Sequence, residues 1–263
     1  LMKPRTITII IPAYNEEQRI GITLEAYCRF FRRHRREFKT TFSVVLNGCT
    51  DNTLHVAQRY RRTFPEIKIL HFQENIGKGG AIIEGIKVST SSLIGYVDAD
   101  GSTPPEAFYN LVHSLHSFDG IIASRWLSQS RVYPSQTFRR RLASRCFNFL
   151  VRVFFFLPYH DTQCGAKLFR REALLPLVSG LVITQWAFDV NLLYLLQKNG
   201  FHIHEAPTVW MDKAHSKLYV FGAGSQMFLG LLRLRLLNSP LRWLVGLYDR
   251  LPSWTKIHRM YLR

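Results

Sequence analysis

The chain has 263 residues, 47% of them hydrophobic, enough to bury a sizeable core and to exclude a disordered chain. Lysine and arginine number 35 against 18 aspartates and glutamates, a formal charge of +17 that implies an anionic partner: nucleic acid, a lipid surface or a phosphorylated substrate. Four separated cysteines, Cys28, Cys49, Cys146 and Cys164, form no C-x-x-C pair, which argues against a zinc site or disulfide framework and for a reducing compartment. The first predicted strand starts within a few residues of the first residue, leaving no room for a signal peptide. No run of about 18 uninterrupted apolar residues is present, so any membrane contact is expected to be peripheral.

Thr6 to Ile11 is a β-branched run closed by Pro12, and Glu16 to Phe31 has helical spacing of Ile20, Leu24, Tyr27 and Phe31. Phe42 to Leu46 predicts the next strand, Asn47 to Asp51 a turn, and Thr53 to Arg62 a helix. The pattern repeats with a strand over Ile67 to Phe72, a helix over Gly79 to Val88, a strand over Leu93 to Val97 and a helix over Pro105 to Leu115. Strand and helix in alternation predict an α/β fold, a mainly parallel sheet with helices on both faces. In such sheets ligands bind beyond the carboxyl ends of the strands, where Pro12 to Glu16, Asn47 to Asp51 and Asp98 to Asp100 should converge. No G-x-G-x-x-G follows the first strand, so a dinucleotide fingerprint is missing.

Asp98 and Asp100 stand i, i+2 after the fourth strand, and on an extended chain they share one side. Two close carboxylates with no base nearby favour a hard cation, Mg2+ or Mn2+, that keeps open positions for substrate phosphates; the competing reading is a loop of surface acids. The segment Asn75 to Ala81 offers close backbone approach and Lys78 to a ligand, or is simply a turn into a helix. Arg125, the run Arg139 to Arg141 and Arg145 lead into the aromatic segment Phe147 to Leu157, which reads as an interfacial or a core helix. Asp161 to Phe169 reads as a functional loop, the segment from Trp186 through Leu196 as a helix carrying Asp189 near its start, and Phe201 to Glu205 as a strand whose His202 and His204 are structural. From Tyr219 onward, Phe228 to Leu237 and Leu241 to Leu247 flank Asn238-Ser239-Pro240 as two basic amphipathic segments. They read as a membrane-surface hairpin, or as a tail helix packed on the domain or in a dimer.

In their order and spacing, Ile11 to Glu17, Asn75 to Gly79, Asp98-Ala99-Asp100, Asp161 to Phe169, Trp186 to Val190 and Ser216 to Leu218 resemble family 2 glycosyltransferases of the GT-A fold. The branch that makes dolichyl-phosphate glucose and dolichyl-phosphate mannose is the most similar. The resemblance covers about residues 6 to 218 and implies a Rossmann-like GT-A domain over 1–218, with 219–263 a basic amphipathic helical tail at a membrane surface. It implies that Pro12, Tyr14, Glu16 and Asp98 contact the nucleoside of a nucleotide-sugar donor, with Asn47 in place of a usual acid and Lys78 also at the nucleotide. Asp98, Asp100 and, by analogy, Gln163 would hold Mg2+ or Mn2+, and Lys217 with Lys213 and His215 would neutralise the departing diphosphate. Arg125, Arg141, Ser144 and Arg145 stand where relatives grip the phosphate of a polyprenyl or dolichyl acceptor.

The expected reaction is inverting transfer of a hexose, glucose favoured, on the cytoplasmic side of a membrane. An anionic phosphate acceptor needs no deep deprotonation. A glycan or glycolipid hydroxyl acceptor would need a base, for which Asp161 and Asp189 are the candidates. From another class, the chain could be an inactive membrane-binding protein. No nucleic-acid-binding fold is recognisable, and self-association stays open.

Overall fold

In a computed structural model, which describes residues 4–134, 138–183, 185, 187–211 and 220–250, the first β-branched run forms β1 (Arg5–Ala13). From Ile9 to Ala13 the run is unbroken because both faces of this part of the strand are buried: Ile9 and Ile11 enter one core cluster and Ile10 the other. The chain continues through α1 (Ile20–Arg33), β2 (Phe38–Asn47), α2 (Thr53–Thr63), β3 (Ile67–Phe72), α3 (Gly77–Val88), β4 (Leu93–Tyr96), α4 (Pro105–Ser114) and β5 (Gly120–Ser124). Next come β6 (Arg131–Tyr133), α5 (Phe138–Phe155), β7 (Lys167–Arg170), the short α6 (Arg171–Leu174) with a 3-10 turn, α7 (Phe188–Lys198), β8 (Ile203–Pro207) and β9 (Val209–Met211). Two further helices, α8 (Val220–Leu237) and α9 (Arg242–Arg250), complete the described chain.

The main sheet has the order β3-β2-β1-β4-β7-β5-β8. Its strands are parallel except β7, which runs against both β4 and β5. Residues of α1, α2 and α4 cover one face and residues of α3, α5, α7 and α8 the other, so the expected α/β architecture with helices on both faces is what the chain forms. The reversal of β7 matters most for function. It brings the start of β7, and the loop before it, to the carboxyl ends of β4 and β5, the rim where ligands bind in open α/β sheets.

Several expectations need correction. The loop predicted over Asp161 to Phe169 ends in β7, and the pair β6 and β9, three residues each in a small parallel sheet, has no counterpart in the sequence reading. The first helix begins at Ile20, four residues after Glu16, because Asn15 takes φ 53 and the Glu16 carboxylate folds back onto Arg19 at 2.6 Å. The aromatic segment after Arg145 belongs to a longer helix, α5, with Phe147, Val151 and Phe155 buried and Phe149, Val153 and Phe156 exposed beside them. Phe228 to Leu237 is part of α8, which places Leu231 and Leu234 in the same core cluster as α5. This segment therefore packs on the domain, as the second of its two sequence readings has it.

Candidate active site

The rim is assembled from the ends of β1, β2, β4 and β5 and from the loop before β7. After β1, Pro12 is buried and Tyr14 is half-exposed, while Asn15 bonds Thr50 through both amide atoms (Nδ2 to Thr50 Oγ1 3.2 Å; Thr50 N–H to Oδ1 2.8 Å). Glu16 N–H donates to Thr53 Oγ1 at 2.8 Å, so the Asn15 turn and the start of α2 are tied together. Asn47, at the end of β2, is buried and accepts the Ile76 N–H on Oδ1 at 2.6 Å. Its side chain holds the turn into α3.

Beyond β4 stand the two acids. Lys78 Nζ lies 2.5 Å from Asp98 Oδ1, and Ser102 N–H donates to Asp100 Oδ1 at 2.9 Å. Burial raises the Asp100 pKa and the neighbouring Asp98 charge raises it further, as a pair of like charges should. Burial works against the Lys78 ammonium, but Asp98 and, behind it, Asp189 outweigh this and hold its pKa above the ordinary lysine value. The Asp98 carboxylate rests on the backbone of Gly165: a Cβ at position 165 would overlap Asp98 Oδ2 and reach 2.5 Å from its Cγ. Glycine is required here by close approach of another chain segment. At Gly79 the reason is packing of a different kind, since a Cβ would meet the Phe188 ring at 2.5 Å.

Among the described residues no three His, Cys, Asp or Glu side chains cluster closely enough to hold a metal. The two acids have the chemistry of a site for a hard divalent ion whose other ligands are phosphate oxygens and water. Gln163, in the loop that carries Gly165, has a buried amide nitrogen with no hydrogen-bond partner among the described residues, a bonding capacity the folded chain leaves unused.

Arg125, just past β5, is locked onto the fully buried Asp161: Nε lies 2.7 Å from Oδ2, Nη2 lies 2.9 Å from Oδ1, and the Arg125 N–H also donates to Oδ2 at 3.0 Å. The guanidinium stacks over Trp210 at 5.1 Å and Trp126 at 5.9 Å, and Arg145 covers Trp126 at 5.2 Å. On α5, Arg141, Ser144 and Arg145 precede Asn148 by one and two helical turns, and Asn148 Oδ1 accepts both the N–H and the hydroxyl of Thr162. Through Trp126, Arg145 is thus brought beside Arg125.

The base role expected for Asp161 and Asp189 does not fit the structure. Burial alone would raise the Asp161 pKa, but the Arg125 charge and hydrogen bonds hold it below the usual carboxylate range. Asp189 is likewise held low by Lys167 and Lys78 against the effect of burial, and it accepts Tyr96 Oη–H at 2.6 Å and Lys167 Nζ at 2.7 Å. The Asp161 oxygens are taken up by Arg125 and by backbone N–H groups, and Asp189 Oδ1 by Tyr96 and Lys167, so both carboxylates are held in the charged, weakly basic form. Removing one partner of such a buried pair strands the other charge, so Asp161→Ala is expected to lower unfolding free energy by about 3–5 kcal/mol. Urea denaturation checks this, and wild-type stability would contradict the arrangement.

Lys213, His215 and Lys217, expected at the diphosphate, lie outside the described residues, as do Trp186 and Ser216. Met211, the last described residue before Val220, donates its N–H to Ser102 O at 2.7 Å, beside the acidic loop. The sequence reading gave no role to Trp126, Trp210 or Asn148. Lys167 and Gly165 stood in a motif already singled out, but their work depends on partners far along the chain.

A model of the family described as Glycosyl transferase family 2 matches residues 8–176. The chain belongs to that family. This family 2 transferase is 31% identical to the dolichyl-phosphate beta-glucosyltransferase of Dictyostelium discoideum over 253 residues, 92% of this chain and 76% of that protein. It is 33% identical to the Homo sapiens protein of the same name over 254 residues, 92% of this chain and 77% of the other. Its fold matches glucosyl-3-phosphoglycerate synthase from Mycobacterium tuberculosis, solved with Mn2+, UDP-glucose and phosphoglyceric acid, with TM-score 0.66 at 17% identity over 88% of this chain and 80% of that one. The GT-A fold expected of the transferase is therefore the one it has.

Proposed function

We propose that this transferase moves glucose from UDP-glucose to the phosphate of a polyprenyl or dolichyl lipid, with inversion to a β-linked product and with Mg2+ or Mn2+ at Asp98 and Asp100. The relatives named for β-glucosyl transfer to dolichyl phosphate support the donor sugar and the acceptor class. The observation that carries the choice of acceptor is the locking of Asp161 and Asp189 in buried ion pairs. A sugar hydroxyl needs a base to remove its proton, whereas a phosphate monoester is already anionic near neutral pH.

The chemistry a bound divalent ion supplies is stabilisation of the charge that develops on the departing diphosphate. The chain's own residues do the rest. Asp98 and Asp100 would hold the ion, with the Gln163 carbonyl oxygen as a further ligand, Lys78 would meet the donor phosphates, and Arg141, Ser144 and Arg145 would orient the acceptor phosphate. Arg125, fixed by Asp161, presents the remaining edge of its guanidinium between two tryptophans. Lys213, His215 and Lys217 follow directly on Met211 in sequence and take the diphosphate in this reading.

The reading is tested by incubating the enzyme with UDP-glucose, GDP-mannose and UDP-N-acetylglucosamine, each with polyprenyl phosphate or with free saccharides. Glucose transfer to the lipid phosphate with a β-anomeric NMR signature is the expected result. Transfer of another sugar, or transfer to a saccharide hydroxyl, would overturn it.

A membrane surface is the second partner in this proposal. Among the described residues no helix is long and apolar enough to cross a membrane. Phe149 and Val153 are exposed on α5 and Phe156 just past its end, Leu232 is exposed on the neighbouring α8, and Leu241, Trp243 and Leu247 are exposed at α9, with Arg145, Arg152 and Arg242 among them. Exposed apolar side chains with cationic flanks suit an anionic lipid interface. Burying an aromatic side chain contributes about 1.5–3 kcal/mol, so Phe149→Ser with Phe156→Ser is expected to weaken binding to phosphatidylserine vesicles at least about tenfold. Sedimentation with vesicles measures this; unchanged binding would remove α5 from the lipid-facing surface.

A further inference from the structure

Lys167 is the least expected residue of the rim. Its side chain is fully buried on a strand between β4 and β5, where a methionine would fill the space without desolvating a charge. Its ammonium has three partners with one geometry. Nζ donates to Cys164 O at 2.6 Å and to Asp189 Oδ1 at 2.7 Å, and lies 5.4 Å from the centroid of the Tyr96 ring. Tyr96 donates its hydroxyl to the same Asp189 oxygen at 2.6 Å, and Tyr96 and Lys167 face each other in the antiparallel register of β4 and β7.

The bond to Cys164 O is the one that reaches the site. Cys164 is followed by Gly165, the residue whose backbone forms the wall against which Asp98 rests. The Asp98 carboxylate is thus placed from two sides, by Lys78 in front and by the Gly165 backbone behind, and the second side is fixed by a buried ammonium. Asp189 keeps that ammonium in place and Tyr96 keeps Asp189 in place. Tyr96 lies two residues before Asp98, so the chain of contacts returns to the segment it positions.

We infer that Lys167 is a positioning residue: by pinning the Cys164 carbonyl it holds the Cys164–Gly165 backbone where Asp98 needs it, and so sets the affinity of the acidic pair for a divalent ion. The inference rests on the reading of Asp98 and Asp100 as the metal site. It goes beyond that reading by assigning part of the metal affinity to a group that touches neither metal nor substrate. Hydrogen bonds that support metal ligands are worth about 10–100-fold in metal affinity.

The test is Mn2+ binding in the presence of UDP, followed by the loss of the free-ion EPR signal, in the wild type and in two variants. Lys167→Met with Asp189→Asn removes both buried charges together, fills the lysine's volume and keeps an oxygen for the Tyr96 hydroxyl, so that folding does not meet a stranded charge. Mn2+ affinity lowered about tenfold or more, with cooperative thermal unfolding retained, is the expected result. Tyr96→Phe leaves both charges in place and subtracts one hydroxyl. It is expected to weaken Mn2+ about two- to tenfold, the range of one net hydrogen bond, and it decides the matter alone if the paired variant does not fold. Wild-type Mn2+ affinity in Tyr96→Phe and in a folded paired variant would make the Lys167 cluster purely structural and overturn the inference. No Mn2+ binding by the wild type would instead remove the metal site, and the inference with it.

Discussion

Asp100→Asn is expected to lower glucosyl transfer by about 10²–10³-fold while leaving the protein as stable as the wild type or more so. The two halves of this expectation have one cause. Asp100 is largely buried beside a second carboxylate, and burial and that neighbour together raise its pKa, so in the absence of a cation its charge works against the fold. Asparagine keeps the side-chain oxygen that accepts the Ser102 N–H and removes only the charge. The loop after β4 keeps its shape and loses a repulsion, while a donor diphosphate loses a ligand of its counter-ion. Steady-state turnover and urea midpoints on the same preparation measure both. Retained activity, or a clear loss of stability with the activity, would mean that Asp100 serves the fold and not the diphosphate.

Gly165→Ala is expected to be nearly as damaging, although it adds only a single methyl group. The methyl would overlap Asp98 Oδ2, and neither side can yield cheaply. Asp98 is held by Lys78 in front, and Gly165 follows a carbonyl fixed by the buried Lys167. Overpacking of this kind costs about 1–3 kcal/mol in stability, and a misplacement of about 1 Å at a reacting centre costs about 10²-fold in rate. Gly246→Ala on α9 is the matched control, since a Cβ there meets nothing within 4 Å. Turnover of the two variants side by side is the measurement; a Gly165→Ala enzyme with wild-type kcat would show that Asp98 is free to move and that the close approach has no role.

How much of this could be read from the sequence depends on how local its cause is. The strands β1 to β4 are β-branched or apolar runs ended by proline, glycine or polar turns, which the local pattern reports directly; β3, with Lys68 and His71 exposed, is an edge strand. The acidic pair was legible for the same reason, since it stands directly after an apolar strand. β7 was not, because Lys167 and Arg170 at its ends carry charges that local periodicity assigns to a loop. Burial of Lys167 is made possible by Asp189, 22 residues further on, and by Tyr96, itself 93 residues before Asp189. The same distance hid the fate of Asp161 and Asp189: as sequence they are candidate bases, and only Arg125 and Lys167 in space make them ion-pair partners. Asn47 reads as a nucleoside contact, and its hold on the turn into α3 shows only in space, since Ile76 lies 29 residues further on. Which leucines of the basic C-terminal segment are buried is decided by the face that α5 presents, and hydrophobic content alone does not report it.

The central claim is that the donor diphosphate is held through a divalent ion at the Asp98–Asp100 pair, backed by Gly165. Crystals grown with UDP and Mn2+, with anomalous data collected at the manganese edge, test it most directly. The account predicts one strong anomalous peak at bonding distance, about 2.0–2.3 Å, from an Asp100 oxygen and from the diphosphate, with the Asp98 carboxylate adjoining it. UDP seated at this rim with no manganese, or a manganese peak bonded to neither aspartate, would contradict it.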